Sequence, residues 1–175
     1  MVTTIDFRIQ RVVENVLDLV MQGHSPKGAR CIVVNPQTGE VLAMSSKPSV
    51  DLNNLPRDNI GELMASTKNM LITDVYEPGS TFKVLTMSAA LDCGAIDLNT
   101  PFHCSGSEQI PGRAQKLHCW RSTGHGAEKT PQALQNSCNI AFAHIALKLG
   151  GERFYEYVKN FGVLEKTGID LAGEL

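Results

Sequence analysis

The stretch Tyr76-Glu77-Pro78-Gly79-Ser80-Thr81-Phe82-Lys83 opens the most apolar segment of the chain. From Ser80 to Leu91 the residues are apolar on nearly all sides of a helix, which predicts a helix buried in a core. The i, i+3 spacing places the Ser80 hydroxyl and the Lys83 amine on one face, at a helix N-terminus whose N–H groups suit an oxyanion. Burial lowers a lysine pKa, so a neutral Lys83 could take the Ser80 proton and make the serine a nucleophile. The alternative for this S-x-x-K string is structural, with an N-cap serine and a lysine that extends its charge to solvent.

A second polar string, Ser137-Cys138-Asn139, interrupts a helical stretch between Leu134 and Phe142. A serine and an asparagine two residues apart at a helix junction can face one cleft. There the hydroxyl can pass on a proton and the amide can orient a substrate carbonyl group. Taken alone, this S-x-N string would be interpreted as an ordinary polar turn between two helices.

Hydrophobic periodicity predicts an α+β fold. Residues 4–22 repeat apolar positions at intervals of three and four, which predicts an amphipathic helix that ends at Gly23. Residues 30–34 and 40–45 flank turn chemistry and predict a hairpin, which needs further strands to be stable. The remaining expectations are a surface connection over 47–62, loops over 97–129, helical chain from an N-cap at Thr130 to Leu149, and a helix from Glu152 to Asn160.

The composition is that of one soluble globular domain: 175 residues, 42% hydrophobic and 19% charged. A net charge of −2 gives no electrostatic reason to expect nucleic acid or a membrane surface as a partner. No apolar run approaches the roughly 20 residues of a membrane-spanning helix, and residues 1–5 do not form a signal peptide. We therefore expect a chain that carries no export signal of its own.

Five cysteines are too few for a disulfide scaffold, but Cys104 and Cys119 each follow a histidine and flank a loop. A disulfide between them would stabilise the fold by about 3 kcal/mol in the loop-entropy model, and unpaired thiols are the alternative. Metal binding is disfavoured, because adjacent residues on an extended segment point to opposite faces and no C-x-x-C spacing is present. The sequence thus predicts no metal site and leaves the redox state of the two thiols open.

The two polar strings and their surroundings resemble the class B penicillin-binding proteins, the D,D-transpeptidases of cell-wall synthesis. The resemblance spans essentially the whole chain and follows the family's order. It is carried by Thr4-Ile5-Asp6 with Gln10, by residues 35–44, by Tyr76 to Lys83 and by Gln135 to Asn139. Residues 102–106, Cys119-Trp120 and residues 124–126 resemble most the division and sporulation branch.

This resemblance implies a penicillin-binding protein/serine β-lactamase-like transpeptidase fold and serine acyl transfer. Ser80 would attack the carbonyl of a D-Ala-D-Ala stem peptide of peptidoglycan, with Lys83 as general base, and an amine would resolve the acyl-enzyme. Ser137 would pass the proton toward the leaving amine and Asn139 would hold the substrate amide, so that Ser80, Ser137 and Asn139 also bind substrate. β-Lactam antibiotics would acylate Ser80. No cofactor is implied, and other cell-wall synthesis proteins are candidate partners.

The family's third motif, K-T-G or K-S-G on a sheet strand, is matched as a string by Lys166-Thr167-Gly168. We interpret this match as a coincidence, because too few residues separate it from Asn139 for the helices and strands that must intervene. Residues 1–175 are therefore expected to form a truncated transpeptidase domain, inactive alone, with the first helix, the hairpin and the helical subdomain but without the remaining sheet strands. A membrane anchor and a pedestal domain are also expected to be missing, and the longer protein would work outside the cytoplasmic membrane.

Two other classes of function stay open from the sequence. One is a related acyl-serine protein, either a serine β-lactamase or a β-lactam sensor, and the other is a non-catalytic module that contacts cell-wall proteins. The context of the S-x-N string, Gln135 to Asn139, favours the transpeptidase.

Overall fold

A computed structural model describes residues 2–51, 53–171 and 173–174, which form two compact units. Unit 1 is built from the chain up to Tyr76 and from Ile169 onwards, and unit 2 runs from Glu77 to Gly168. The predicted domain of residues 1–175 also includes Met1, Leu52, Ala172 and Leu175, which lie outside the described residues. Among the described residues, no helix is both long and apolar enough to cross a membrane.

Unit 1 packs the first helix on the predicted hairpin. Its elements are α1 (Phe7–His24), β1 (Ala29–Val34), β2 (Val41–Lys47), α2 (Ile60–Thr67) and α3 (Met70–Thr73). Val13 and Leu17 of α1 are buried together with Ala43 of β2, as the i, i+4 periodicity predicts. Gln10 fastens the helix to the strand, because its amide donates to the Met44 carbonyl (3.0 Å) and accepts from the Met44 N–H (2.8 Å).

Two expectations for unit 1 were wrong. Gly23 does not end the first helix, which continues to His24. The left-handed position is instead taken by Ser25 (φ 46°), whose N–H bonds to the Met21 carbonyl. The connection expected over 47–62 is shorter at both ends, since β2 extends to Lys47 and α2 begins at Ile60.

Unit 2 is a helical core flanked by short strands. Its elements are a 3-10 turn (Gly79–Thr81), α4 (Phe82–Asp92), β3 (Pro101–Cys104), β4 (Ser107–Glu108), β5 (Leu117–His118), β6 (Gly126–Lys129), α5 (Thr130–Gln135), α6 (Asn139–Leu149) and α7 (Gly151–Asn160). Helix α6 supplies the centre of the core, where Ile140 and Ile145 are fully buried. Helix α4 packs on it but leaves Val84 59% exposed, so the expectation of a helix buried on all sides was wrong.

Residues 97–129 are more ordered than the loops that the sequence predicts. Strand β3 pairs with β6 in antiparallel register, and β4 pairs with β5. These strands are too short and too poor in β-branched residues for their periodicity to be recognised from the sequence.

Thr130 is the first residue of α5 and not its N-cap, a position that Lys129 occupies. The Thr130 hydroxyl donates instead to the Asp97 carbonyl (2.6 Å), while Gln132 accepts the Lys129 N–H through its side chain. Because the Gln132 side chain caps the Lys129 N–H, the Thr130 hydroxyl is free to bond the preceding loop.

Candidate active site

The S-x-x-K string lies at the start of α4, as the sequence predicts, but its first turn is a 3-10 turn. Gly79 has a positive φ of 58° and turns the chain into that helix. Ser80 is exposed to solvent, whereas Lys83 one turn later is half-buried. The serine hydroxyl is therefore accessible from outside, and the lysine amine lies behind it.

The S-x-N string forms the break between α5 and α6. Ser137 has the left-handed φ of 48°, a conformation that costs a residue other than glycine about 1–3 kcal/mol. Cys138 follows in an extended conformation as the N-cap of α6, and its Sγ accepts a hydrogen bond from the Ala141 N–H (3.5 Å). Asn139 begins α6, so the predicted interruption of the helical stretch is confirmed.

Four predicted side chains meet in one hydrogen-bonded network. Lys83 Nζ donates to three acceptors: the Ser137 carbonyl (2.7 Å), Ser137 Oγ (3.0 Å) and Asn139 Oδ1 (2.7 Å). Ser137 Oγ lies 3.0 Å from Ser80 Oγ. Within the described residues no hydrogen bond joins Lys83 directly to Ser80, so the direct reach expected from the i, i+3 spacing is replaced by a path through Ser137.

The surroundings of Lys83 favour loss of its proton. Burial lowers the pKa of Lys83 below its ordinary value, and electrostatic interaction with the nearby Cys119 and Cys138 opposes that shift. Lys83 Nζ also lies 5.3 Å from the centroid of the Phe142 ring. This cation–π contact favours the charged form of the amine. Since burial is the largest cause of the shift in pKa, the neutral form of Lys83 is populated more readily than that of a lysine in water.

Neighbouring loops hold the S-x-N turn in place. Asn139 Nδ2 donates to the His118 carbonyl (3.0 Å), which ties α6 to β5. Asn136, which precedes the motif, donates through its amide to Glu128 (3.0 Å) and accepts the indole N–H of Trp120 at its carbonyl (2.8 Å). No local pattern predicts these contacts of Asn136 and Glu128, because each contact joins residues from separate elements.

Cys104 and Cys119 are free thiols, as are the other three cysteines, so the disulfide considered from the sequence is not formed. Both are buried, while the histidine before each is exposed, in agreement with the expected alternation of faces. They lie together with Cys138 and His125. No spacing rule reveals this group, because its members come from four separate segments.

Lys166-Thr167-Gly168 lies in exposed chain after α7 and outside any strand. The third motif of the family lies on a strand. The position of these residues therefore agrees with the interpretation of the match as a coincidence.

Comparisons with known proteins show the family of the chain. Residues 29–175 match the family model of the penicillin binding protein transpeptidase domain. The chain is 37% identical over 173 residues to stage V sporulation protein D of Bacillus subtilis, covering 98% of this chain and 26% of that protein. It is 31% identical over 179 residues to the peptidoglycan D,D-transpeptidase MrdA of Escherichia coli K12, covering 98% and 27%.

A solved structure shows the same architecture. The imipenem acyl-enzyme complex of penicillin-binding protein A from M. tuberculosis superposes with a TM-score of 0.78 and 27% identity, over 91% of this chain and 39% of that one. The chain thus spans about a quarter of the length of the curated relatives that it matches.

Proposed function

The chain belongs to the penicillin-binding protein transpeptidase family, with the α+β fold and the class B resemblance that its sequence predicts, and on that premise we propose that Ser80 is the nucleophile of a peptidoglycan D,D-transpeptidase. One observation carries the proposal: the continuous path from Ser80 Oγ through Ser137 Oγ to Lys83 Nζ, with 3.0 Å at each step. Such a path lets a buried amine act as base for an exposed hydroxyl.

Acylation begins when Ser80 Oγ attacks the carbonyl carbon of the penultimate D-alanine, forming a C–O bond. The Ser80 proton passes to Ser137 Oγ as the Ser137 proton passes to Lys83 Nζ. Collapse of the tetrahedral intermediate breaks the C–N bond, and the proton returns through Ser137 to the amine of the departing D-alanine. An acceptor amine then attacks the ester, gives up a proton along the same path, and restores the Ser80 hydroxyl.

Lys83 changes its hydrogen bonds during this cycle. The three acceptors around Nζ match the three donors of an ammonium group, so the network describes the protonated state. When Lys83 is neutral, its lone pair accepts from the Ser137 hydroxyl, which then accepts from Ser80. The backbone carbonyl of Ser137 and the amide of Asn139 keep Nζ in position in both states.

Asn139 is the proposed contact for the substrate amide. Its Oδ1 faces Lys83 and its Nδ2 is bound to the His118 carbonyl, so the orientation of the amide is fixed from both ends. A substrate N–H arriving at the exposed side of the cleft would share Oδ1 with Lys83. A stem peptide ending in D-Ala-D-Ala and β-lactams are the proposed ligands, which the names of the relatives and the imipenem acyl-enzyme of the similar structure support.

The place of action follows from the substrate. Peptidoglycan lies outside the cytoplasmic membrane, so we place the active protein on that side, with residues 1–175 as part of its transpeptidase domain. The match to a stage V sporulation protein supports the division and sporulation branch.

The test is the intact mass of the chain after incubation with a penicillin. We expect a single adduct, because one serine hydroxyl is joined to the buried amine of Lys83. The adduct should vanish in Ser80→Ala and persist in Ser88→Ala, which removes an exposed hydroxyl from the same helix. The absence of an adduct on the folded chain would agree with an incomplete site, and the measurement is then repeated after the downstream half of the domain has been added. The proposal is wrong if no adduct forms in that case, or if Ser80→Ala is acylated as fast as the original chain.

The fate of the adduct separates the related functions. An adduct that persists agrees with a transpeptidase or a β-lactam sensor, whereas rapid release of hydrolysed penicillin would indicate a β-lactamase. Transfer of the acyl group from a stem-peptide substrate to an added amine would then distinguish the transpeptidase from the sensor.

A further inference from the structure

Ser137, the middle of the proposed proton path, lies in a helix-ending turn where glycine is the usual residue. The Ser137 N–H bonds to the Leu134 carbonyl (2.9 Å), and the Cys138 N–H bonds to the Ala133 carbonyl (3.0 Å). These two bonds form a Schellman motif at the end of α5, with Ser137 in its left-handed position (φ 48°). A serine there costs free energy that a glycine would not, so its neighbours must hold it in place.

Asn136, the residue before Ser137, is held at two points. Its side-chain amide donates to Glu128 Oε2 (3.0 Å), and its carbonyl accepts the indole N–H of Trp120 (2.8 Å). The Trp120 ring is itself fixed, because it packs edge-on against His125 with ring centroids 5.3 Å apart. The side chain and the backbone of the residue before Ser137 are therefore held by two separate segments of the chain.

Glu128 is a carboxylate in an unusual place, since charged side chains are almost never fully buried. It is 5% exposed on β6, and its Oε1 has no hydrogen-bond partner within the described residues. A buried carboxylate with an unsatisfied oxygen costs folding free energy, so stability alone does not explain this residue. Its other oxygen bonds the turn that carries Ser137, which gives the carboxylate a role.

This carboxylate is close to both neighbours of Ser137. Besides its bond to Asn136, Glu128 lies beside the Cys138 thiol, whose pKa is raised by burial first and by the carboxylate second. The strand that carries it is supported in turn, because β6 is paired with β3 and Glu128 lies opposite Phe102. One strand residue thus faces the residues on either side of Ser137.

We propose that Glu128 is a positioning residue for the acyl transfer. By fixing Asn136, it holds the Ser137 hydroxyl in the proton path, and it acts through the turn alone. That hydroxyl lies 3.0 Å from Ser80 Oγ and 3.0 Å from Lys83 Nζ, and a misplacement of about 1 Å in such a group costs about 10²-fold in rate. The inference rests on the proposed function, because it assigns a support to the same path.

The test exchanges donor and acceptor between the two residues and measures the rate constant of acylation by penicillin. Asn136→Asp places two carboxylates face to face at 3.0 Å, where like charges repel, and the rate should fall by about 10–100-fold. Adding Glu128→Gln restores a hydrogen bond of reversed direction, so the double variant should react nearly as fast as the original chain. Glu128→Gln alone keeps an acceptor for the Asn136 amide and should also react nearly as fast.

Two controls separate position from charge. Glu108→Ala removes a carboxylate of the same unit that pairs with His144 instead, and it should leave the acylation rate unchanged. The pKa of Lys83 is shifted by burial and by two nearby cysteines rather than by Glu128. Loss of the charge in Glu128→Gln should therefore leave the midpoint of the pH–rate profile in place.

A second measurement needs no acylation. Hydrogen exchange at the N–H groups of Ser137 and Cys138 reports on the turn, and the amides of α7 report on global unfolding. Exchange at the turn should be faster in Asn136→Asp and return to the original rate in the double variant, while α7 stays protected.

The two proposals can fail separately. If the original chain forms no adduct even with the downstream half, the proposed function fails, and the exchange rates still decide whether Glu128 holds the turn. The positioning role is overturned if Asn136→Asp matches the original chain in exchange and acylation. It is also overturned if Glu128→Gln fails to rescue Asn136→Asp in a chain whose α7 stays protected, or if Glu128→Gln shifts the pH midpoint.

Discussion

Replacing Ser137 with alanine removes the hydroxyl that joins Lys83 to Ser80. The variant keeps two of the three acceptors of Lys83 Nζ, the Ser137 backbone carbonyl and Asn139 Oδ1, so the amine should stay in place. What is lost is proton transfer, since no other hydrogen bond connects Lys83 to Ser80 within the described residues. General acid–base catalysis contributes about 10²–10⁴ in rate, which corresponds to about 2.7–5.4 kcal/mol of activation free energy. We expect the rate constant for acylation by penicillin to fall by that factor.

The assay is the second-order rate constant of adduct formation, followed by intact mass at several penicillin concentrations. A companion variant, Ser137→Gly, removes the same hydroxyl but relieves the left-handed strain at this residue. If the hydroxyl carries the effect, the two variants should be equally slow although the glycine variant has the less strained backbone. If the position of the backbone causes the loss of rate instead, the alanine and glycine variants should be acylated at different rates.

Folding must be separated from chemistry in these variants. The hydroxyl is only half-buried and its hydrogen bonds are worth about 0.5–1.5 kcal/mol each, so both variants should remain folded. Acylation of Ser137→Ala at the original rate would refute the proton path. A rate loss that disappears at temperatures well below the unfolding midpoint would refute it as well.

The remaining predictions concern the proton on Lys83 and the core of unit 2. The neutral amine of Lys83 is the proposed base, and burial lowers its pKa below 10.5. The acylation rate should therefore rise with pH along a limb whose midpoint lies below that value, and a rate that does not change with pH would contradict this role. Ile145→Ala should lower the free energy of unfolding by about 2–5 kcal/mol in a urea titration followed by the fluorescence of Trp120, the single tryptophan and a residue of the same unit. Leu147→Ala, half exposed on the same helix, should change it by only about 0.5 kcal/mol, and an equal effect of the two would mean that the α6 core is misplaced.

Local periodicity predicted the elements whose contacts are local. The stripe of α1 and the turn of the first hairpin could be identified because a helix repeats every 3.6 residues and a hairpin turn has its own composition. The boundaries of the elements were predicted less accurately: the first helix was expected to end at Gly23, but it ends one residue later and Ser25 takes the left-handed position after it. Glycine is only the commonest residue for that position, and tertiary contacts decide which residue takes it.

The predicted site depended on a different kind of signal. The strings around Ser80 and Ser137 were recognised by resemblance, and the structure brings both to one network although they are 57 residues apart. The strands β3 to β6 and the meeting of Cys104, Cys119, Cys138 and His125 could not be predicted in this way. Their partners, such as Pro101 and Lys129, meet only after the chain has folded back on itself, and spacing rules for metal ligands detect only neighbours within one loop.

The break between α5 and α6 explains how the tripeptide Ser137-Cys138-Asn139 can place one side chain in the core and two in the cleft. In an uninterrupted helix, residues two apart point to nearly opposite sides, so Ser137 and Asn139 could not both reach Lys83. An extended residue between them restores the twofold alternation of a strand, and Cys138 has such a conformation (φ −71°, ψ 112°). The alternation then directs the Cys138 side chain inward, where it is fully buried, while its two neighbours face the cleft. The strain at Ser137 is thus the cost of turning a helix into a two-sided junction, with Cys138 in the core and the hydroxyl that we propose as the proton carrier in the cleft.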